Sequence, residues 1–353
     1  MVAMSFSNAS VIVRPFLAAV GALEREKQKL HASIVTTLAA CTPGWVDVKT
    51  DDVNVDHLGG AMTNLIFKVS KPSGVNAEVL VRIYGEGTDS FFSRAEEMRL
   101  FQLLSKFDIG ISLLGEFSNG RVEKLIQGDT FTAKEMRKPE LSSIIARKMR
   151  IFHDLDVDIP KTPKYLNEIR RLLDVARAKC VDPKFESVVD FAVFEQDVKD
   201  LEAECELVPS PLVLSHNDLQ YGNIMRTEAG VVLIDFEYSS YNPRGYDLGN
   251  HFCEWAYDYH KTINPHLGDF TRYPTVEEQR SFCRAYLTGE TKETVTAEDV
   301  EQLRLEANTY SQASHLFWAL WGFIQASQSE IDFDFLAYGK CRYDAFKKRL
   351  TVE

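Results

Sequence analysis

The sequence lacks the signals of a metal cluster, a disulfide scaffold or a membrane span. Its six cysteines, Cys41, Cys180, Cys205, Cys253, Cys283 and Cys341, are spread thinly and no pair forms C-x-x-C. That excludes a clustered zinc site and a dense disulfide framework, so a reduced, cytoplasmic chain is expected. No internal repeat or low-complexity tract is present. No G-x-x-x-x-G-K-[ST] occurs, which excludes a Walker-type ATPase, and Gly85 to Ser90 lacks the third glycine of a dinucleotide fingerprint. Positive charge is short: 40 Lys and Arg against 52 Asp and Glu leave a net charge of −12. Nucleic-acid binding by phosphate neutralisation is thereby excluded, but a small anionic ligand needs only a local positive site. Uncharged runs are scarce too. Ser311 to Ser329 has no charge but carries Gln312, His315, Gln325, Gln328 and four serines, so a buried helix is expected and no membrane insertion. Near the N-terminus, Arg14 and Pro15 interrupt the apolar residues and no basic residue precedes them. A short packed helix is expected there and not a signal peptide.

What remains is an ordinary globular composition of 353 residues, 45% hydrophobic and 26% charged, enough for two lobes at ~150 residues each. The chain reads as a helix over Leu23 to Ala40, then strands over Asn64 to Ser70 and Glu78 to Tyr84 joined by Lys71-Pro-Ser-Gly74. An amphipathic helix over Phe91 to Phe107 follows, then strands over Leu113 to Phe117 and Val122 to Ile126 around Asn119-Gly120. Beyond Gln127 the helical period dominates, over Glu140 to Leu155, Tyr165 to Lys179 and Phe185 to Cys205. Short strands return at Leu212 to Leu214 and Val231 to Ile234, and the remainder is mainly helical. The expected domains are a strand-rich N-lobe, 1–126, and a larger helical C-lobe, 127–353.

Two segments carry chemistry. Ser215-His216-Asn217-Asp218 to Asn223 contains H-x-D-x-x-x-x-N, and Leu233-Ile234-Asp235-Phe236-Glu237 puts an Asp directly after an apolar strand. Phosphoryl transfer from a nucleotide needs a carboxylate to receive the acceptor hydroxyl's proton and oxygen ligands for the metal that bridges the phosphates. Asp218 can be that base, and Asn223 and Asp235 are hard-oxygen ligands suited to Mg²⁺. A kinase-like reading follows. In the first lobe, Gly59-Gly60-Ala61-Met62-Thr63-Asn64 precedes a strand as a phosphate-covering turn would. Arg82 lies on the next strand, where a kinase usually has Lys, and Glu97 on the following helix is its expected partner.

At these residues the chain resembles the choline/ethanolamine kinase family, a branch of the protein-kinase-like fold. The resemblance runs from about His57 to Leu350. It is most specific over Leu233 to Tyr259, LIDFEYSSYNPRGYDLGNHFCEWAYDY, which looks like choline kinase. Ala313 to Ala326 with the downstream IDFDFLAYGKCRYDAF is shared with ethanolamine kinases, and VRIYGEGTD and LIQGD lean towards that branch. The glycine turn departs from the family, reading GGAMTN where many relatives read GGMSN or GGITN. The resemblance implies an α+β, two-lobe fold with an antiparallel N-lobe sheet, ATP and Mg²⁺ as cofactors, and a homodimer formed through the N-lobe. Asp218 is implied as catalytic base, with Asn223 and Asp235 on the metal. Gly60, Thr63, Asn64, Arg82, Glu97 and Gln127 are implied at the nucleotide.

The acceptor implied is choline or ethanolamine. A quaternary ammonium offers no hydrogen-bond donor, so aromatic faces and carboxylates must recognise it. Trp318 and Trp321 are three apart and share a helix face. By resemblance, Tyr259, Trp318, Trp321, Phe333 and Tyr338 line the pocket, Tyr238 lies close by, and Glu254 and Glu237 stand near the cation. A primary ammonium would depend more on those carboxylates. An aminoglycoside-type kinase and a catalytically inactive scaffold are the more remote alternatives. His216 is expected to orient the loop, Asp247 to brace its backbone, His153 and His251 to be satisfied histidines, and Cys253 to pack.

Overall fold

The computed structural model describes residues 24–58, 64–85, 94–106, 111–289 and 294–349. Of these, 24–85 and 101–127 form one compact unit, and 94–100 and 128–349 form a second. Gly60 and Thr63 lie outside the described residues.

The first unit is a five-stranded antiparallel sheet with a helix. Helix α1 is Glu24–Cys41, and the strands are β1 (Asn54–Leu58), β2 (Asn64–Ser70), β3 (Glu78–Tyr84), β4 (Leu113–Phe117) and β5 (Gly120–Lys124), in the order β1-β2-β3-β5-β4. Ile34, Val35 and Leu38 of α1 bury one face against Val69, Val79, Val81, Ile83 and Val122 of the sheet. Helix α2 spans Arg94–Lys106. β1 was not expected from the sequence: four of its five residues are exposed, so Asn54–Leu58 shows no apolar alternation.

The second unit is mainly helical: α3 (Pro139–His153), α4 (Tyr165–Lys179), α5 (Pro183–Glu186), α6 (Phe191–Glu206), α7 (Arg244–Glu254), α8 (Val276–Thr288), α9 (Ala297–Gln328) and α10 (Phe335–Lys347). The single helix expected over Phe185 to Cys205 is broken. Asp190 caps α6 through hydrogen bonds from the Ala192 and Val193 amides, so the chain restarts a helix there. The uncharged run forms the second half of α9, which starts at a Thr296–Asp299 capping box and is buried on all sides from Tyr310 to Gln325. Among the described residues no helix is long and apolar enough to cross a membrane.

Short strands hold the catalytic segments. β7 (Leu212–Ser215) pairs antiparallel with β10 (Ser240–Pro243), and β8 (Ile224–Thr227) forms a hairpin with β9 (Gly230–Leu233), flanked by β6 (Asp129–Thr130). α7, α9 and α10 pack closely because glycines let the backbones approach. A Cβ on Gly322 would lie 2.8 Å from the Cα of Gly339. Arg244 at the start of α7 holds α9 through two 2.8 Å bonds to the buried Glu306 carboxylate.

Candidate active site

The loop His216 to Asn223 joins β7 to β8, and Asp235 follows β9, so two hairpin-scale pairings bring both motifs to one place. They are tied directly. His216 Nε2 donates to the Ile234 carbonyl at 2.9 Å, the Ile234 amide donates to the Asn223 carbonyl at 3.0 Å, and the Asn217 amide group donates to the Tyr238 carbonyl at 2.8 Å. Asn217 (φ 68°) and Asp235 (φ 65°) both occupy the left-handed region. Such strain persists only where surrounding bonds over-determine it, and it gathers at functional sites.

Asp247 is the anchor. Its carboxylate accepts from the His216 and Asn217 backbone amides, both at 2.7 Å, and from His153 Nε2 at 2.9 Å. Burial alone would raise this carboxyl, but the bond from His153 and those loop amides outweigh burial and hold it below its ordinary value. His153 also meets the Tyr286 hydroxyl at 2.7 Å. The bracing role expected for Asp247 is thus a set of three bonds. The histidines expected to be satisfied, His153 and His251, are buried and bonded; His251 Nδ1 donates to the Leu219 carbonyl at 2.8 Å and Nε2 accepts from Trp255 at 3.3 Å. Cys253 is buried, 3.5 Å from His315 Nε2, and burial pushes its thiol up to about 12, so it packs as an inert thiol.

Asn223 donates to both the Asp218 carbonyl and its carboxylate Oδ2, each at 2.8 Å. That fixes Asp218 and leaves the Asn223 side-chain oxygen for another role. Burial pushes the Asp218 carboxyl well above the usual range; the negative charges of Glu254, Asp235 and Glu237 add to this, and Asn223 opposes it. The mutual repulsion of these carboxylates raises the proton affinity of Asp218.

The aromatic residues nominated from sequence come together in the second unit. Trp318 and Trp321 are 5.5 Å apart, Trp321 is 5.9 Å from Tyr338, Tyr338 is 5.8 Å from Phe333 and 6.4 Å from Tyr259, and Tyr238 is 5.2 Å from Trp318. Trp321 Nε1 donates to the Tyr238 hydroxyl at 3.0 Å, and Trp318 Nε1 to the Asn250 side chain at 2.8 Å. These bonds spend the indole N–H groups and lock the rings, leaving apolar faces.

Glu254, expected near the cation, is buried with both carboxylate oxygens bonded. Its Oε1 accepts from Arg342 Nη2, and its Oε2 accepts from the Tyr259 hydroxyl at 2.9 Å. Arg342 is fully buried and was missed from the sequence. The signal that could have found it is its position four residues after Tyr338, on the same face of α10. Glu237 is buried with Arg94 4.0 Å away.

In the first unit, Arg82 is buried on β3 and its Nε meets Glu123 Oε1 at 3.1 Å, an oxygen shared with Arg121 at 2.6 Å. Glu97, in the second unit, accepts from Arg94 in its own helix at 2.7 Å. Glu123 was missed because it lies on β5, which neighbours β3 only through the sheet order. Asn64 is buried at the start of β2, opposite Tyr84. Gln127 donates to Glu78 at 2.7 Å.

Buried, neutral histidines predict how stability depends on pH. Burial lowers His251 to about 4, opposed by its bond to Leu219, and burial also lowers His216 and His315. Above about 6.5 folded and unfolded forms are both neutral. Below that the unfolded chain takes protons the folded sites refuse, so these histidines withdraw stability down to about pH 4, while the raised Asp218 carboxyl, which takes its proton in the folded state, acts in the opposite sense. His251 alone removes roughly 2 kcal/mol by pH 5, worth about 3 °C in the melting midpoint relative to pH 7. Thermal scans at the two pH values on the Asp218→Asn variant, which removes the opposing carboxyl, check this; equal midpoints would exclude it.

An antiparallel sheet unit, a mainly helical unit, and a braced Asp–Asn loop beside a strand–Asp turn define a protein-kinase-like fold and an ATP-dependent phosphotransferase acting on a small alcohol. The chain belongs to the choline/ethanolamine kinase family, whose model matches residues 55–347. It is 38% identical over 331 residues to probable choline kinase 2 of Arabidopsis thaliana, covering 92% of this chain and 93% of that one. It is 35% identical over 314 residues to the probable ethanolamine kinase of the same plant, covering 86% and 82%. Among solved structures it is similar to an ethanolamine kinase of Plasmodium vivax, with 26% identity, a TM-score of 0.80 and coverage of 93% and 92%.

Proposed function

We propose that the chain is a choline kinase, transferring the γ-phosphoryl group of ATP to the choline hydroxyl to give phosphocholine and ADP, the first step of phosphatidylcholine synthesis by the CDP-choline route. The observation that supports this most is the aromatic cluster of Tyr238, Tyr259, Trp318, Trp321, Phe333 and Tyr338, in which the Glu254 carboxylate beside Tyr259 is already paired. Aromatic faces stabilise a quaternary ammonium without asking it for a hydrogen bond.

In this reading Asp218 receives the choline hydroxyl proton as the hydroxyl oxygen attacks. Its raised proton affinity, from burial and the surrounding carboxylates, suits a base. Asn223 holds Asp218 in one orientation, and Asp247 holds the loop. Asn223 and Asp235 would hold Mg²⁺, which supplies charge neutralisation at the phosphates when bound. The donor set fits: the Asn223 amide nitrogen is spent on Asp218, leaving its oxygen as a hard ligand beside the Asp235 carboxylate, and Mg²⁺ with a nucleotide uses only one or two carboxylates beside phosphate oxygens. Asn64, Arg82, Glu97 and Gln127, with the turn of Gly60 and Thr63, are read as nucleotide-binding. A cytoplasmic homodimer is part of the same reading, and sedimentation of a micromolar sample tests its oligomeric half.

Ethanolamine kinase is the second reading, since Glu237 and Glu254 stand near the rings. Measuring kcat/KM for choline and ethanolamine on one preparation decides between them. Choline is expected to be favoured by about tenfold or more, and a ratio favouring ethanolamine overturns the assignment.

A further inference from the structure

We propose that Arg342, by engaging Glu254 inside the aromatic cluster, sets the preference between quaternary and primary ammonium acceptors. The inference rests on the acceptor site read above and names the residue that decides its selectivity.

Three observations carry it. First, both oxygens of the buried Glu254 carboxylate are engaged, one by Arg342 Nη2 and the other by the Tyr259 hydroxyl. Second, Arg342 is itself a cation within the cluster. Its guanidinium carbon is 4.2 Å from the Tyr257 ring centre and 5.3 Å from that of Tyr338, and its Nε donates to the Tyr338 hydroxyl at 3.1 Å. Third, Arg342 Nη1 is buried with no hydrogen-bond partner among the described residues, so the guanidinium already has more donors than acceptors around it.

The chemistry follows from counting donors. A primary ammonium enters with three N–H groups, and each needs an acceptor once water is removed. The ring faces attract its charge but accept hydrogen bonds weakly. Glu254 is the carboxylate bonded into the cluster at Tyr259; Arg342 and Tyr259 take one lone pair on each of its oxygens, and the Arg342 charge weakens the sites that remain, while Glu237 stands beside Tyr238. A quaternary ammonium carries no N–H and loses nothing by this. Arg342 therefore acts against the primary amine by weakening Glu254 as an acceptor, while the aromatic faces serve either cation. It touches no reacting atom and is a positioning residue. Lysine at this position would keep the charge but lose the planar fork that reaches Tyr338 and Glu254 together.

The test compares choline with ethanolamine in the full chain with ATP and Mg²⁺, for wild type, Arg342→Lys, Glu254→Gln and the double variant Arg342→Met/Glu254→Gln. Arg342→Lys is expected to lower the choline-to-ethanolamine ratio of kcat/KM about tenfold, through a lower KM for ethanolamine and not a changed kcat. In the Glu254→Gln background, adding Arg342→Met is expected to leave the ratio within about twofold, because Arg342 acts through Glu254. The neutral double variant leaves no buried charge unpaired, so it serves if the single Lys variant does not fold. An unchanged ratio in a folded Arg342→Lys variant, or the same shift in the Glu254→Gln background, overturns the proposal. Tryptophan-fluorescence titration of choline and ethanolamine gives the same ratio as a ratio of Kd values. A wild type that turns over neither amine defeats the functional reading alone, since the Kd ratio still tests Arg342.

Discussion

Asp218→Asn is expected to lower kcat by about 10³-fold while leaving the protein folded and at least as stable. Asn has the same shape and still offers an oxygen to the Asn223 amide, which donates to Asp218 Oδ2 at 2.8 Å. What disappears is the proton acceptor. The negative charge of Asp218 disappears with it, and in the folded state that charge is disfavoured by burial and by Glu254, Asp235 and Glu237. Loss of activity with an unchanged or higher melting midpoint is therefore the signature of a base held under electrostatic stress. ADP formation at saturating ATP and amino alcohol, beside a thermal scan, reads both quantities. Turnover near the wild-type rate would remove Asp218 from the mechanism.

Asp247→Ala is expected to cost about 3–5 kcal/mol of stability and to reduce kcat by about 10²-fold at temperatures where the variant is folded. The carboxylate is fully buried and accepts from two loop amides and from His153. Ala leaves all three donors buried without that acceptor. It also releases the backbone beside Asn217, whose left-handed conformation the amide bonds help to hold. Denaturant titration measures the first effect and steady-state kinetics the second. Asp247→Asn, which restores an acceptor but not the charge, should fall between. A loss of less than about 1 kcal/mol in the Ala variant would show that the loop does not depend on this anchor.

Most strands and helices were legible because apolar period and turn residues act locally. Asn64–Ser70, Glu78–Tyr84 and Tyr165–Lys179 form where their residues place them. The elements that escaped were those whose stability comes from a distant partner. β10, Ser240–Pro243, has no strand composition of its own and exists because it pairs with β7. β8 exists as half of a hairpin whose other half alone is apolar. α9 begins fourteen residues before the uncharged run that announced it, because its first half is an ordinary amphipathic helix opened by the Thr296 capping box.

The candidate site divides along the same line. Asp218, Asn223 and Asp235 could be chosen from sequence alone because the chemistry demands those groups on one loop and one strand end, and neighbours in sequence supply them. The aromatic residues could be nominated by resemblance, and helical spacing put Trp318 and Trp321 on one face. The state of Glu254 could not be read that way. Its partner Arg342 is 88 residues away, and the two meet inside the closely packed bundle of α7, α9 and α10, where glycines such as Gly322 and Gly339 let the backbones touch. His153 reaches Asp247 across 94 residues for the same kind of reason. The sequence by itself determined which atoms can do the chemistry, because reactivity belongs to residue type. Only the tertiary structure decided which of those charges are already paired, because burial forces each charge to find a partner wherever packing brings one within reach.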